Sequence, residues 1–173
     1  AGAKKVLSFE PYHMNFARLV FNIRHAGFDP IGCVCCAISD KDQVESFGVR
    51  APGFYCSSGG GIDKEGFSYL PVNAPRLDSM LLEEFHSLIK VIKIDTESHG
   101  VRVLNGMPKI LSHKPDLILE CIEEGLTEIL KPIGYEFYRI NEDSGLEPIE
   151  DLTPDNPYRI NSPNRFATCH GLR

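Results

Sequence analysis

The stretch "IKIDTESHG", from Ile92 to Gly100, places polar residues directly after an apolar run. Val91, Ile92 and Ile94 are typical of a buried β-strand, and two carboxylates, a hydroxyl, an imidazole and a glycine follow them. In parallel sheets whose strands alternate with helices, ligands bind outside the carboxyl ends of the strands. The stretch therefore predicts either a functional strand end or a cap for the helix that follows.

Strands and helices alternate on both sides of this stretch. Buried strands are predicted in "VLSF", "PIGCVCCAIS", "VIKID" and "DLILEC", and an alternating strand in "YEFYRI". Helices are predicted in the segments 16–23 with a C-terminal stop at Gly27, 77–85, 101–111 with a break at Pro108, and 126–133. Residues 44–69 predict an irregular insertion with β-hairpin character, and the tail from Asn156 an edge strand plus loop. We therefore expect one α/β domain over residues 1–173 with a mostly parallel sheet.

The composition indicates a soluble globular domain. The chain has 173 residues, of which 42% are hydrophobic and 24% charged, and its net charge of -6 argues against a nucleic-acid partner. No apolar run approaches the roughly 20 residues that span a bilayer. Since no signal peptide is visible, we expect a cytoplasmic protein with no membrane partner.

The cysteines indicate reduced thiols. Three of the six stand in "CVCC", where neighbouring side chains point to opposite faces of a strand or lie too far apart to pair. Without a CxxC pair or a second group of ligands, no metal site is predicted.

Two strand ends carry candidate site residues. Glu10 follows an apolar strand and precedes Pro11, so its carboxylate is suited either to a ribose diol or to the positive end of the next helix. Asp95 and Glu97 have the spacing of one strand face, and Lys93 is placed to pair with Asp95. Spacing alone leaves three alternatives open for this end: a reactive site, an N-cap by Asp95 or Ser98, or an incomplete cation site.

Several segments together resemble the FkbM-type family of S-adenosylmethionine-dependent methyltransferases. They are "VLSFEP", "NFARLVFNI", "CAISDKD", "LDSMLLEE", "IKIDTESHGVRVLNGM", "KPDLILEC" and "LKPIGYEFYRI", which cover most of the chain from Lys5 to about Ile140. The resemblance implies a Rossmann-like class I methyltransferase fold. It also implies methyl transfer from S-adenosyl-L-methionine to a hydroxyl of a sugar or other small metabolite.

The resemblance also implies roles for individual residues. Glu10 would hold the ribose hydroxyls of the cofactor. The segment Cys36, Ala37 and Ile38 would lie against its adenine, with Ser39 and Asp40 nearby. Asp95 is preferred for positioning or deprotonating the acceptor, followed by Glu97 and then His99.

The chain departs from the family pattern at two places. The family usually has DxEGxE at the strand tip, whereas Ser98 and Gly100 stand here in place of the glycine and the second acid. The glycine-rich first strand and turn that should precede "GAKKVLSFEP" are absent, so we expect an N-terminally incomplete domain that lacks the first strand. Two other functions stay open: a non-catalytic binding module of methyltransferase-like fold, and an NAD-dependent oxidoreductase. The second is disfavoured because no GxGxxG is present.

Overall fold

The computed structural model describes residues 2–50, 67–96, 99–120, 123–141, 143–152 and 164–171. Its strands are β1 (Val6–Phe9), β2 (Ile31–Val34), β3 (Gln43–Arg50), β4 (Phe67–Ala74), β5 (Val91–Ile94), β6 (Asp116–Leu119), β7 (Glu136–Asn141), β8 (Gly145–Ile149) and β9 (Arg165–Thr168). Its helices are α1 (His13–Ala26), α2 (Leu77–Met80), α3 (Glu83–His86), α4 (Gly100–Asn105), α5 (Pro108–Ser112) and α6 (Leu126–Leu130), and a 3-10 turn spans Lys131–Ile133.

Apart from the β3–β4 hairpin, strands and helices alternate along the first two thirds of the chain, which confirms the α/β class. Strands β1 and β2 form a parallel pair, and β3 and β4 form an antiparallel hairpin. A five-stranded sheet has the order β5-β6-β9-β7-β8. Within it β5 and β6 are parallel and the remaining neighbours are antiparallel, so among the described residues this sheet is mixed rather than mostly parallel.

The tail strand β9 explains the mixed sheet. It was expected at an edge, and this prediction is wrong: β9 lies between β6 and β7 and is antiparallel to both. Its residues are accordingly covered, with Arg165 2% and Ala167 0% exposed. Strand β8 was not predicted. Its Pro148, which lacks an amide hydrogen, is tolerated because β8 is the edge strand.

The hydrophobic core lies beside the five-stranded sheet. Leu104, Met107, Ile110 and Leu117 are completely buried in it, so α4 and α5 cover β5 and β6 with their apolar sides. Pro108 begins α5 as a separate helix, as its position predicts, because proline at the first helical position needs no amide hydrogen bond.

The β1-α1-β2 segment carries Glu10 at its first strand end. Gly27 ends α1 with φ of 68°, the left-handed conformation that glycine adopts without strain, so the predicted helix end is confirmed. The predicted apolar face of α1 is only half-buried, and Phe21 on this helix is 66% exposed.

The hairpin expected within 44–69 is present as β3 and β4, which pair from Gln43 with Ala74 to Arg50 with Phe67. Residues 51–66, including the glycine-rich tip, lie outside the described residues. The helices of the described ranges all lack the combination of length and apolar character that is needed to cross a bilayer.

Candidate functional site

A cluster of polar side chains joins the loop after β2 to the beginning of α4. Ser39 is 0% exposed, and its hydroxyl lies 2.5 Å from Oε1 of Glu45, 3.2 Å from Oδ1 of Asp40 and 3.3 Å from Nε2 of His99. Two predicted cofactor-side residues, Ser39 and Asp40, thus meet the predicted acceptor-side residue His99. We call Ser39, Asp40, Glu45, His99 and Arg102 the His99 cluster.

Arg102 binds the two carboxylates of the cluster. Its Nε lies 3.2 Å from Asp40 Oδ1, and its Nη1 lies 3.2 Å from both oxygens of Glu45. Gln43 donates a further hydrogen bond to Glu45 Oε1 at 2.7 Å, and His99 Nε2 lies 3.7 Å from Glu45 Oε2. Each carboxylate therefore has hydrogen-bond donors that hold its position.

The pKa values of His99 and Glu45 are both lowered in the cluster. Burial lowers the pKa of His99 below its usual value of 6.5, and the Glu45 carboxylate only partly opposes this shift. Burial disfavours the charge of Glu45, but hydrogen bonds from Ser39 and Gln43 prevail and lower the pKa of this carboxyl. At neutral pH the cluster therefore contains a neutral imidazole beside ionised carboxylates.

The loop after β2 is held in place by backbone contacts. The Ala37 and Ser39 amides donate to the carbonyl oxygens of Asn73 and Pro75, at 2.9 and 3.0 Å. On the other side the Ser39 carbonyl packs against Gly106, so closely that a Cβ atom on Gly106 would overlap it. The glycine of "VLNGM" is thus required by the close approach of two backbones.

Glu10 projects from the end of β1, as predicted. Its amide donates to the Val34 carbonyl of β2, and its Oε1 accepts a hydrogen bond from the Tyr12 amide at 2.8 Å. Burial raises the pKa of this half-buried carboxyl, and the Tyr12 amide opposes that shift. Oε2 has no hydrogen-bond partner among the described residues, which leaves it available to a ligand donor.

The predicted adenine-side segment is largely covered. Cys36 is buried, and its burial, reinforced by Cys35, raises the pKa of its thiol to about 11. Ala37 and Ile38 are half-buried, and Ile38 packs against the core. Four cysteines, Cys33, Cys35, Cys36 and Cys169, are free thiols as expected, whereas the remaining two lie outside the described residues.

Asp95 lies directly after β5 and pairs with a lysine of that strand. Its Oδ2 accepts a hydrogen bond from Lys93 at 3.0 Å, which confirms the predicted pair, and Lys93 also reaches Glu120 Oε2 at 3.1 Å. The Asp95 side chain is 44% exposed. It does not cap α4, whose N-cap residue, His99, makes no capping hydrogen bond with its own side chain. Glu97 and Ser98 lie outside the described residues.

Glu123 caps α4 instead. Its Oε1 accepts the Val101 amide hydrogen at 2.6 Å, at the positive end of the helix. A Cβ atom on Gly100 would lie 3.1 Å from this oxygen. The family pattern has an acid at the position of Gly100. Because Gly100 has no side chain, it leaves space for the carboxylate of Glu123, which follows β6 in the chain.

Three contributing residues were missed from the sequence: Glu45, Arg102 and Glu123. Glu45 lies in an alternating strand, Arg102 in a helix and Glu123 in a polar turn. None of these local patterns indicates a functional residue. Their partners are distant in the chain, 57 residues apart for Arg102 and Glu45 and 22 for Val101 and Glu123. No sequence spacing marks such contacts.

Comparison with known proteins agrees with this architecture. A crystal structure of methyltransferase FkbM from Methylobacillus flagellatus KT superposes with a TM-score of 0.55 at 15% identity, over 95% of this chain and 36% of that one. The similarity shows a common fold, and the chain spans about a third of the length of that protein. Curated protein sequences give no significant match. The family model for the methyltransferase FkbM domain matches residues 1–141, and the chain therefore belongs to the FkbM methyltransferase domain family.

Proposed function

We propose that this domain takes part in S-adenosylmethionine-dependent O-methylation of a hydroxyl on a sugar or other small metabolite, within a Rossmann-like class I methyltransferase fold. The observation that carries the proposal is the 3.3 Å contact between Ser39 and His99. It connects the loop on the expected cofactor side with a neutral base on the expected acceptor side.

The residues at the end of β1 suit a cofactor ribose. Glu10 offers an oxygen without a partner among the described residues, and burial has removed part of its hydration. Two ribose hydroxyls donating to this carboxylate would replace that hydration, as acidic residues do at the corresponding strand end of dinucleotide-binding folds. The residues therefore fit the ribose.

The segment after β2 suits an adenine and its surroundings. Ala37 and Ile38 present half-buried apolar groups, and Asp40 follows them. Cys36 and Ser39 are buried, so we assign them to the support of this segment rather than to direct contact. In this arrangement the role of the Ser39 hydroxyl is to hold the His99 ring in position.

When bound, S-adenosylmethionine would supply an electrophilic methyl group on sulfur. The chain must then orient an acceptor hydroxyl and take its proton. His99 is better suited than Asp95, because a neutral half-buried imidazole has a free lone pair whereas the Asp95 carboxylate is exposed and paired with Lys93. Glu97, at the other acceptor-side position, remains a prediction.

Calorimetry with S-adenosylmethionine and NAD tests this function. We expect the full-length protein to bind S-adenosylmethionine and not NAD, and Glu10→Ala to weaken binding by about 1.5–3 kcal/mol, the contribution of hydrogen bonds to a charged group. Glu84→Ala, which removes an exposed acid on α3, serves as the control. Unchanged affinity in Glu10→Ala would contradict the ribose assignment. Binding of neither cofactor would favour a non-catalytic module.

A further inference from the structure

The Ser39 hydroxyl determines where the proton of His99 lies. The hydroxyl has one hydrogen, and three acceptor-capable groups surround it: the carboxylates of Glu45 and Asp40 and the imidazole of His99. Ionised carboxylates only accept hydrogen bonds. The 2.5 Å contact with Glu45 has the length of a charge-assisted O–H···O bond, so the hydroxyl hydrogen belongs to it.

The contact between Ser39 and His99 then needs a hydrogen from the ring. Nε2 must be protonated in order to donate to the Ser39 oxygen at 3.3 Å, and the same atom faces Glu45 Oε2 at 3.7 Å. A neutral imidazole carries one hydrogen, so its lone pair is on Nδ1. Among the described residues Nδ1 has no hydrogen-bond partner, and the His99 side chain is 13% exposed to solvent.

Glu45 is itself held firmly. It lies on β3 opposite Val72 of β4, in the interior of the hairpin pairing. Arg102 and Gln43 bind its carboxylate from two sides. The hairpin thus presents a fixed acceptor to Ser39 and through it to His99.

We propose that Glu45 is a positioning residue, which acts through Ser39 to hold His99 as the Nε2-protonated tautomer and so keeps the Nδ1 lone pair for the proton of an acceptor hydroxyl. This inference rests on the proposed function for the hydroxyl, whereas the tautomer is a property of this chain alone. With S-adenosylmethionine bound, the hydroxyl oxygen would form its bond to the methyl carbon as the methyl–sulfur bond breaks, and the bonding pair would stay on sulfur, which leaves as a neutral thioether. The hydroxyl proton passes to Nδ1, and from there to solvent.

The charges around His99 come from four elements. Glu45 lies on β3, Asp40 in the loop after β2, Arg102 on α4 and Glu123 after β6. The three carboxylates favour a charged ring, but burial and the Arg102 guanidinium favour the neutral one and prevail, so the pKa is lowered. The ring is therefore neutral at neutral pH, as a proton acceptor must be.

Nitrogen-15 NMR of the histidine rings tests the proposal without any substrate. In the wild-type protein at neutral pH we expect Nδ1 of His99 to be unprotonated and the Nε2 hydrogen to be protected from exchange with water. The His99→Gln variant assigns the signals. In Glu45→Gln we expect the Nε2 hydrogen to exchange about tenfold faster. The Ser39 hydroxyl, which accepts this hydrogen, loses its own hydrogen bond to a charged carboxylate and is held less firmly. The pKa of His99 should also fall, because the attracting carboxylate is gone.

Glu84→Gln removes the same charge at an exposed position and should change neither value. Thermal unfolding checks that Glu45→Gln is folded; if it is not, Ser39→Ala should give the same faster exchange. A wild-type ring protonated on Nδ1, or variants with unchanged exchange, would overturn the proposal. Calorimetry on the same samples separates the positioning role of Glu45 from the proposed function. If the Nε2 hydrogen is protected but S-adenosylmethionine does not bind, only the proposed function is contradicted.

Discussion

The hydroxyl of Ser39 lies 3.3 Å from Nε2 of His99, although 60 residues separate them in the chain. Ser39 follows the second strand and His99 precedes α4, and the sequence points to each for a different reason. The partly buried contact joins the two segments side chain to side chain. The predicted cofactor side and the predicted acceptor side thereby become parts of one site.

The first prediction separates the candidate bases. In methylation assays with an accepted hydroxyl substrate, we expect His99→Gln to lower kcat by about 10²–10⁴-fold, the usual contribution of a general base. Asp95→Asn should lower it less, because this carboxylate is exposed and engaged by Lys93. A larger loss in Asp95→Asn, with both variants folded by circular dichroism, would favour Asp95 as the base.

The second prediction concerns stability at acid pH. The folded-state pKa of His99 lies below 6.5, so as the pH falls through 6.5 the unfolded chain takes up a proton that the folded chain does not. The free energy of unfolding should therefore fall with pH until the folded-state pKa is reached. Urea unfolding between about pH 7.5 and pH 5 measures this slope.

His99→Gln should reduce that slope, whereas His13→Gln, at an exposed position on α1, should retain it. Below about pH 4.5 both variants should still lose stability, since the lowered folded-state pKa values of Glu45 and Asp40 mean that the unfolded chain takes up protons there that the folded chain does not. Equal slopes in wild type and His99→Gln would contradict a lowered pKa of His99.

The third prediction concerns the contact between Gly106 and the Ser39 carbonyl. Gly106→Ala should lower the free energy of unfolding by about 1–3 kcal/mol, because its Cβ forces the two backbones apart. Asn105 is the preceding residue and is exposed, so Asn105→Ala should change the free energy of unfolding by less than about 0.5 kcal/mol. Urea denaturation compares them, and a Gly106→Ala protein as stable as Asn105→Ala would refute the close approach.

The fourth prediction concerns the cap of α4. Glu123→Ala removes the acceptor of the Val101 amide and should destabilise the protein by about 0.5–2 kcal/mol, as the loss of a helix cap does. The Val101 amide should also exchange its hydrogen faster. Glu124→Ala, at the exposed neighbour, is the matched control, and similar exchange in both variants would exclude the cap.

Local patterns in the sequence predict several helix and strand bounds correctly. The predicted strand bounds Val6–Phe9 are those of β1, and "VIKID" exceeds β5 by one residue. The end of α1 at Gly27 and the break at Pro108 were also predicted. Apolar periodicity and backbone restrictions act within a few residues, so they can be seen in the sequence.

The sheet order and the composition of the site depend on contacts between segments that are distant in the chain. Strand β9 lies between β6 and β7 because it pairs with both, and no local pattern tells an inner strand from an edge strand. Glu45, Arg102 and Glu123 enter the site through contacts with distant segments. The sequence indicated Asp95 as the preferred base, whereas burial and hydrogen bonding distinguish His99. Those two properties exist only after the chain has folded.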